Sequence, residues 1–125
     1  MRETATARIV LGEDGVLVVS IRPGAQQRPS DARENLDTAL AVATGRRRPL
    51  LVDITRSPPL DAETRHLYSG QTLVAGFTAL ALLVEASPLG VMMGNVYFRV
   101  ARPGIPTHLF TDAGRAHDWL KGYLE

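Results

Sequence analysis

Two short segments hold most of the side chains that could do chemistry. "DITRSPPLDAETRH", residues 53–66, places Asp53, Arg56, Ser57, Asp61, Arg65 and His66 close together, and "VEAS", residues 84–87, adds Glu85 and Ser87. A carboxylate pair such as Asp53 and Glu85 can divide acid and base work when their surroundings push their pKa values apart. That chemistry needs both to converge in one cleft. The structural alternative is that Asp53 accepts loop amides at a strand end, Asp61 caps a helix, and Arg65 pairs with either carboxylate. Nothing resembles a nucleophile with its base: the chain has no cysteine, and no serine stands in a G-x-S-x-G elbow. His66, His108 and His117 form no H-x-x-x-H or H-E-x-x-H spacing, so each reads as a surface or half-buried side chain rather than a metal ligand. "GVMMG", residues 90–94, is a spaced glycine pair within a helix and not a phosphate loop. The expectation is a protein with no cofactor and no catalytic residues.

Elements of ordinary composition must position these residues. The chain has 125 residues, 45% hydrophobic and 22% charged, values that fit one soluble domain spanning 1–125. The formal net charge of +1 implies no polyanionic partner, and nucleic acid is not expected. The basic run Arg46–Arg48 reads as cations at a helix C-terminus, where the macrodipole favours them. "MRETATARIV" lacks the apolar run of a signal peptide, and no window is long and apolar enough to span a membrane, so a cytoplasmic location is expected.

"TARIVL" and "GVLVVSI" around "GEDG" read as an antiparallel hairpin. Ala32, Leu36, Ala39, Leu40 and Ala43 recur at helical spacing, with Ser30 or Asp31 as the cap and Gly45 as the stop. "PLLVDI", residues 49–54, is a strand covered on both faces. Asp61 caps a helix through residue 76 that is irregular near Ser69 and Gly70. "TALALLVEA", residues 78–86, is a second buried strand, and Ser87 and Pro88 open the helix "PLGVMMGNVYFRV". "THLF" is a last short strand, and Thr111 or Asp112 opens a closing helix with Ala113, Ala116, Trp119, Leu120, Tyr123 and Leu124 on one face. The order β-β-α-β-α-β-α-β-α predicts an α/β fold whose mixed sheet starts with an antiparallel hairpin and continues in parallel βαβ units.

That order, together with "LVDI…LDAETR", "RRRPLLVDI", "TALALLVEASPLG" and "PTHLFTDAGRAHDWL", resembles the STAS domain of SpoIIAA-type anti-sigma-factor antagonists over nearly the whole chain. The resemblance implies a non-enzymatic protein-interaction or regulatory domain. In phosphorylated antagonists a serine directly follows an aspartate where the loop enters the second helix. Here Asp61 matches the aspartate and Ala62 stands on the serine, so the resemblance implies that this phosphorylation switch is absent. Ser57, beside Pro58, does not fit the motif, and Thr64 stands near the place of the usual glycine.

Two surfaces are expected to work. One is the strand-to-helix junction with Asp53, Arg56, Ser57, Asp61, Ala62 and Arg65. The other is the helix bearing Met92, Met93, Tyr97 and Phe98, which is apolar on nearly every side and is either an interface or deeper core. Gly90 and Gly94 within it would let another backbone approach. A protein partner and a homodimer are expected. The alternative is a small-molecule or lipid-binding domain with an apolar pocket between sheet and helices and Arg56 or Arg65 at its mouth.

Overall fold

In the computed structural model, residues 1–58, 60–68, 70–92, 95 and 104–125 are described. The expected hairpin is β2 (Ala7–Leu11) and β3 (Leu17–Ile21), antiparallel with Leu11 opposite Leu17. Its turn closes through Gly15 N donating to Gly12 O at 3.0 Å, and Gly15 has φ +86, a conformation that L side chains rarely adopt. A two-residue strand, β1 (Arg2–Glu3), pairs antiparallel with β2 ahead of the hairpin. It goes beyond the expected order because two exposed charged residues leave no apolar pattern to read.

Helix α1 (Pro29–Val42) follows. Its N-cap is Arg28 rather than Ser30 or Asp31, because Pro29 occupies the first helical position, which needs no N–H donor. Asp31 instead accepts from Arg28 N at 2.9 Å. Strand β4 (Arg48–Asp53) leads to α2 (Ala62–Leu67) and α3 (Gln71–Gly76), so the irregular helix is two helices with Gly70 as the second N-cap. Strand β5 (Phe77–Leu83) ends before the expected Ala86. Helix α4 is helical over 88–92, and β6 (Thr107–Phe110) and α5 (Ala113–Lys121) close the chain.

The six strands lie in the order β1-β2-β3-β4-β5-β6, antiparallel through β3 and parallel from β3 to β6. Between β4 and β5 the register slips: Arg48 faces Phe77 but Leu50 faces Leu80, so β5 carries one extra residue. Pro49 sits at this irregularity, where its missing N–H costs the ladder least.

Strand alternation sends side chains to two different covers. On the first face Ile9, Leu17, Val19, Leu50, Val52, Leu80 and Leu82 join Leu36 and Ala39 of α1 and Leu73 of α3. On the second face Leu51, Ala79 and Ala81 meet Ala116 and Leu120 of α5, the small alanines letting that helix lie close. The Arg46–Arg48 run ties ends together. Arg48 Nε donates to Ala43 O at the C-cap of α1 (2.9 Å), Arg47 Nη2 to Val74 O in α3 (3.1 Å), and Arg46 Nη2 to Glu125 O (2.8 Å).

One polar cluster lies inside the first layer. Asn35 Nδ2 donates to Thr6 Oγ1 at 3.0 Å and to Gln27 Oε1 at 3.3 Å, and the Tyr68 hydroxyl donates to the same Gln27 oxygen. Burial pushes the Tyr68 phenol up to about 12, which keeps it a proton donor. These bonds fasten α1 to the start of β2 and to the end of α2.

The second face is pinned by His117 of α5, whose Nδ1 lies 2.8 Å from Asp14 Oδ2 in the hairpin turn. Burial alone would raise the Asp14 carboxyl, but the Val16 amide and His117 outweigh it and hold it below its ordinary value. A lowered folded pKa means that this stabilisation is complete above the unfolded value of about 3.9 and is lost as pH falls through the lower folded value. Asp14→Asn is expected to lower Tm near neutral pH by roughly 4 °C, about 1 kcal/mol, with the difference from wild type shrinking in acid. Thermal melts across the acid range check this; an equal deficit at every pH would show that the carboxylate charge contributes nothing.

Candidate functional site

Because β4 and β5 run parallel, their carboxyl ends emerge side by side. Asp53 is opposite Leu83, and Ile54 N donates to Leu83 O at 3.0 Å. Carboxyl ends of parallel strands are where open α/β sheets place ligands. A half-open cleft of about 350 Å³ lies here, between the loop after β4 and the loop after β5. Ile54, Val84 and Leu89 give it apolar surface, Thr55, Arg56, Ser57 and Pro58 form one wall, and Glu85 and Gly90 the other.

The two carboxylates do not share this cleft. Asp53 turns back on its own loop, its Oδ1 accepting from Thr55 N at 2.9 Å and Thr55 Oγ1 at 2.7 Å, and only Glu85 lines the cleft. Ser57 also lines the cleft, with its hydroxyl donating to Pro58 O at 2.9 Å. Asp61 is the N-cap of α2, accepting from Thr64 N at 2.8 Å, and that amide holds its carboxyl below the ordinary value. Ala62 is exposed at the first position of α2. Arg65 Nη1 donates to the Leu60 carbonyl rather than to Asp53 or Glu85, and Arg65 does not line the cleft. Of the junction residues singled out by sequence, the fold therefore brings Arg56 and Ser57 to one cleft with Glu85, and leaves Asp53, Asp61, Ala62 and Arg65 outside it.

On the far side Ser87 opens α4 as its spacing predicts. Its hydroxyl accepts from Gly90 N at 3.1 Å, and its carbonyl accepts from Val91 N at 3.0 Å. Gly90 does not offer a groove to another backbone. It is buried against its own chain, where an added Cβ would stand 2.3 Å from the Glu85 carbonyl oxygen. The residues beside it face outward: Leu89 is 61% exposed, Met92 56% and Val91 36%. Met93, Gly94, Tyr97 and Phe98, the rest of the expected interface, lie outside the described residues.

The histidines do not assemble. His108 is exposed on β6, its ring 5.0 Å from Phe110 and 5.6 Å from Trp119, and His117 is bonded to the hairpin turn. The sequence reads His117 as a surface or half-buried side chain and does not show its carboxylate, since Asp14 is distant in the chain. Among the described residues, no group of three or more His, Asp or Glu side chains could hold a metal ion. No helix among them is long and apolar enough to cross a membrane.

Residues 10–124 match the profile of a family described as a domain of unknown function, DUF7793. The chain is similar in structure to an uncharacterised protein of the DUF3478 family with a SpoIIAA-like fold from Shewanella loihica PV-4, with TM-score 0.60, 19% identity, and 96% of this chain and 98% of that chain covered. A protein with unknown function from Arthrobacter sp. FB24 aligns over 90% of both chains at 24% identity, with a TM-score of only 0.36. No curated protein matches the sequence. The mixed sheet and its helices are thus a SpoIIAA-like fold, as the sequence resemblance implies.

The packing of Gly90 yields a direct test of the cleft wall. Gly90→Ala forces the first turn of α4 away from Glu85, at a cost of about 1–3 kcal/mol of overpacking strain. Denaturant unfolding is expected to show that loss, and amide chemical shifts of Val84 and Glu85 are expected to move. A neutral substitution would mean that the α4 turn is not packed on the Glu85 carbonyl.

Proposed function

Because the chain belongs to the DUF7793 family, whose function is unknown, its role must be read from geometry, and we propose a non-enzymatic protein-interaction or regulatory domain that works through α4 and the adjoining cleft. The observation that carries this is the exposure of Leu89, which lines the cleft, and of Met92 one helical turn on, with Val91 also exposed on the same short segment. Large apolar side chains clustered at the surface cost solubility unless they are covered. An unbranched methionine next to them suits a surface that adapts to another protein.

The junction supports a contact role over a chemical one. Asp53, Ser57, Asp61 and Arg65 all bond to nearby backbone, and among these junction residues no nucleophile stands with a base. Ala62 offers no hydroxyl where the resemblance to phosphorylated antagonists places the serine, so contact through this domain is not gated by phosphorylation at that position.

A small-molecule or lipid-binding domain is the second reading. The cleft volume of about 350 Å³ and the presence of Arg56 in its wall favour it. Retained mass in native mass spectrometry of freshly purified protein would support that reading.

Photo-crosslinking in the cell of origin separates the two. A photoreactive residue at position 89 or 92 is expected to give a discrete protein adduct, while one at Arg33, exposed on α1, gives none. No adduct from either α4 position, together with a bound small molecule, would contradict the interaction reading.

A further inference from the structure

The cleft carries one charge of each sign. Arg56 comes from the loop after β4 and Glu85 from the loop after β5, both exposed and both lining the same cleft. They do not pair with each other. Neither has an ion-pair partner among the described residues, whereas Arg8, Arg22, Arg28 and Arg47 each pair with a carboxylate. Leu89 lies in the same cleft, and Met92, one helical turn further along α4, is exposed on the same side of the helix. The arrangement is an apolar centre flanked by two opposite charges that have no ion-pair partner among the described residues, the layout of a contact patch with a polar rim.

A two-fold interface places the same patch on both sides, so the patch must contain its own complement. One of a single charge sign would repel its copy. Here rotation sets each Arg56 against the Glu85 of the other copy and lays α4 against α4. We infer that this surface binds a second copy of the chain through reciprocal Arg56–Glu85 pairs around Leu89 and Met92. The inference rests on the interaction reading above and names its partner. An acidic or a basic partner protein would leave one of the two charges facing its like, whereas the chain itself matches both. The formal net charge of +1 puts little long-range repulsion in the way of two copies meeting.

Charge reversal tests this with the full chain. Arg56→Glu and Glu85→Arg each set like charges against like across both ends of a two-fold contact. Each variant alone is expected to self-associate about tenfold more weakly than wild type. Mixed together, every contact again joins opposite charges, and the two variants are expected to form a heterodimer at near wild-type affinity, resolved from homodimers by mass in native mass spectrometry. Both side chains are exposed and have no ion-pair partner among the described residues, so melts of the variants are expected to match wild type. Leu89→Glu in the wild-type background reads the surface independently of the charges. Loss of the wild-type dimer in Leu89→Glu without heterodimer formation in the mixture would overturn the reciprocal pairs while leaving α4 as the surface. A wild-type chain that stays monomeric, or a dimer indifferent to both reversals, would overturn the inference, and the crosslinks from position 92 would then decide the interaction reading separately.

Discussion

β4 and β5 pair in parallel at the middle of the sheet, and this pairing decides what each can show to solvent. Leu50 and Val52 bury one face of β4 and Leu51 the other, and β5 does the same with Leu80 and Leu82 against Ala79 and Ala81. Neither strand has a side left for solvent, so what can act must be carried where they end. Their register sets Asp53 against Leu83, and the next residues of each strand diverge into the two loops that form the cleft. The bulge at Pro49 and the helix pair α2–α3 are adjustments around this central pair.

Much of the frame was legible because short-range physics decides it. Strand alternation and continuous apolar runs located β2 to β6, and side-chain caps located helix starts: Asp61 accepts from Thr64 N, Ser87 from Gly90 N and Asp112 from Arg115 N. The failures have equally local causes. Pro29 moves the start of α1 to Arg28, and β1 has too few residues to show any period. Beyond Leu83 the expected strand continues through "VEA", but the Glu85 carbonyl accepts from Ser87 N, so the chain turns at that point.

The candidate site was legible only in outline. The segment after β4 and the helix after β5 could be singled out, yet which side chains meet there depends on their direction at the strand ends. Asp53 points to its own Thr55 amide, a short-range bond that outcompetes any distant partner. Gly90 looked like an approach for a foreign backbone and instead admits the chain's own carbonyl at Glu85. Long-range pairs such as His117 with Asp14, and Asn35 with Thr6, leave no trace in local spacing because only the finished fold brings them together.

What this leaves at the surface is a cleft with an apolar lip, between the loop that carries Arg56 and the loop that carries Glu85. If this lip, residues 89–92, is where two copies meet, it must lose its contact with water as the protein is concentrated. Hydrogen–deuterium exchange of the 84–92 segment, measured from dilute to concentrated protein, reads that loss. Protection there is expected to rise with concentration while that of the hairpin turn at 12–15 stays constant. Exchange at 84–92 that is the same at every concentration would contradict self-association through this lip.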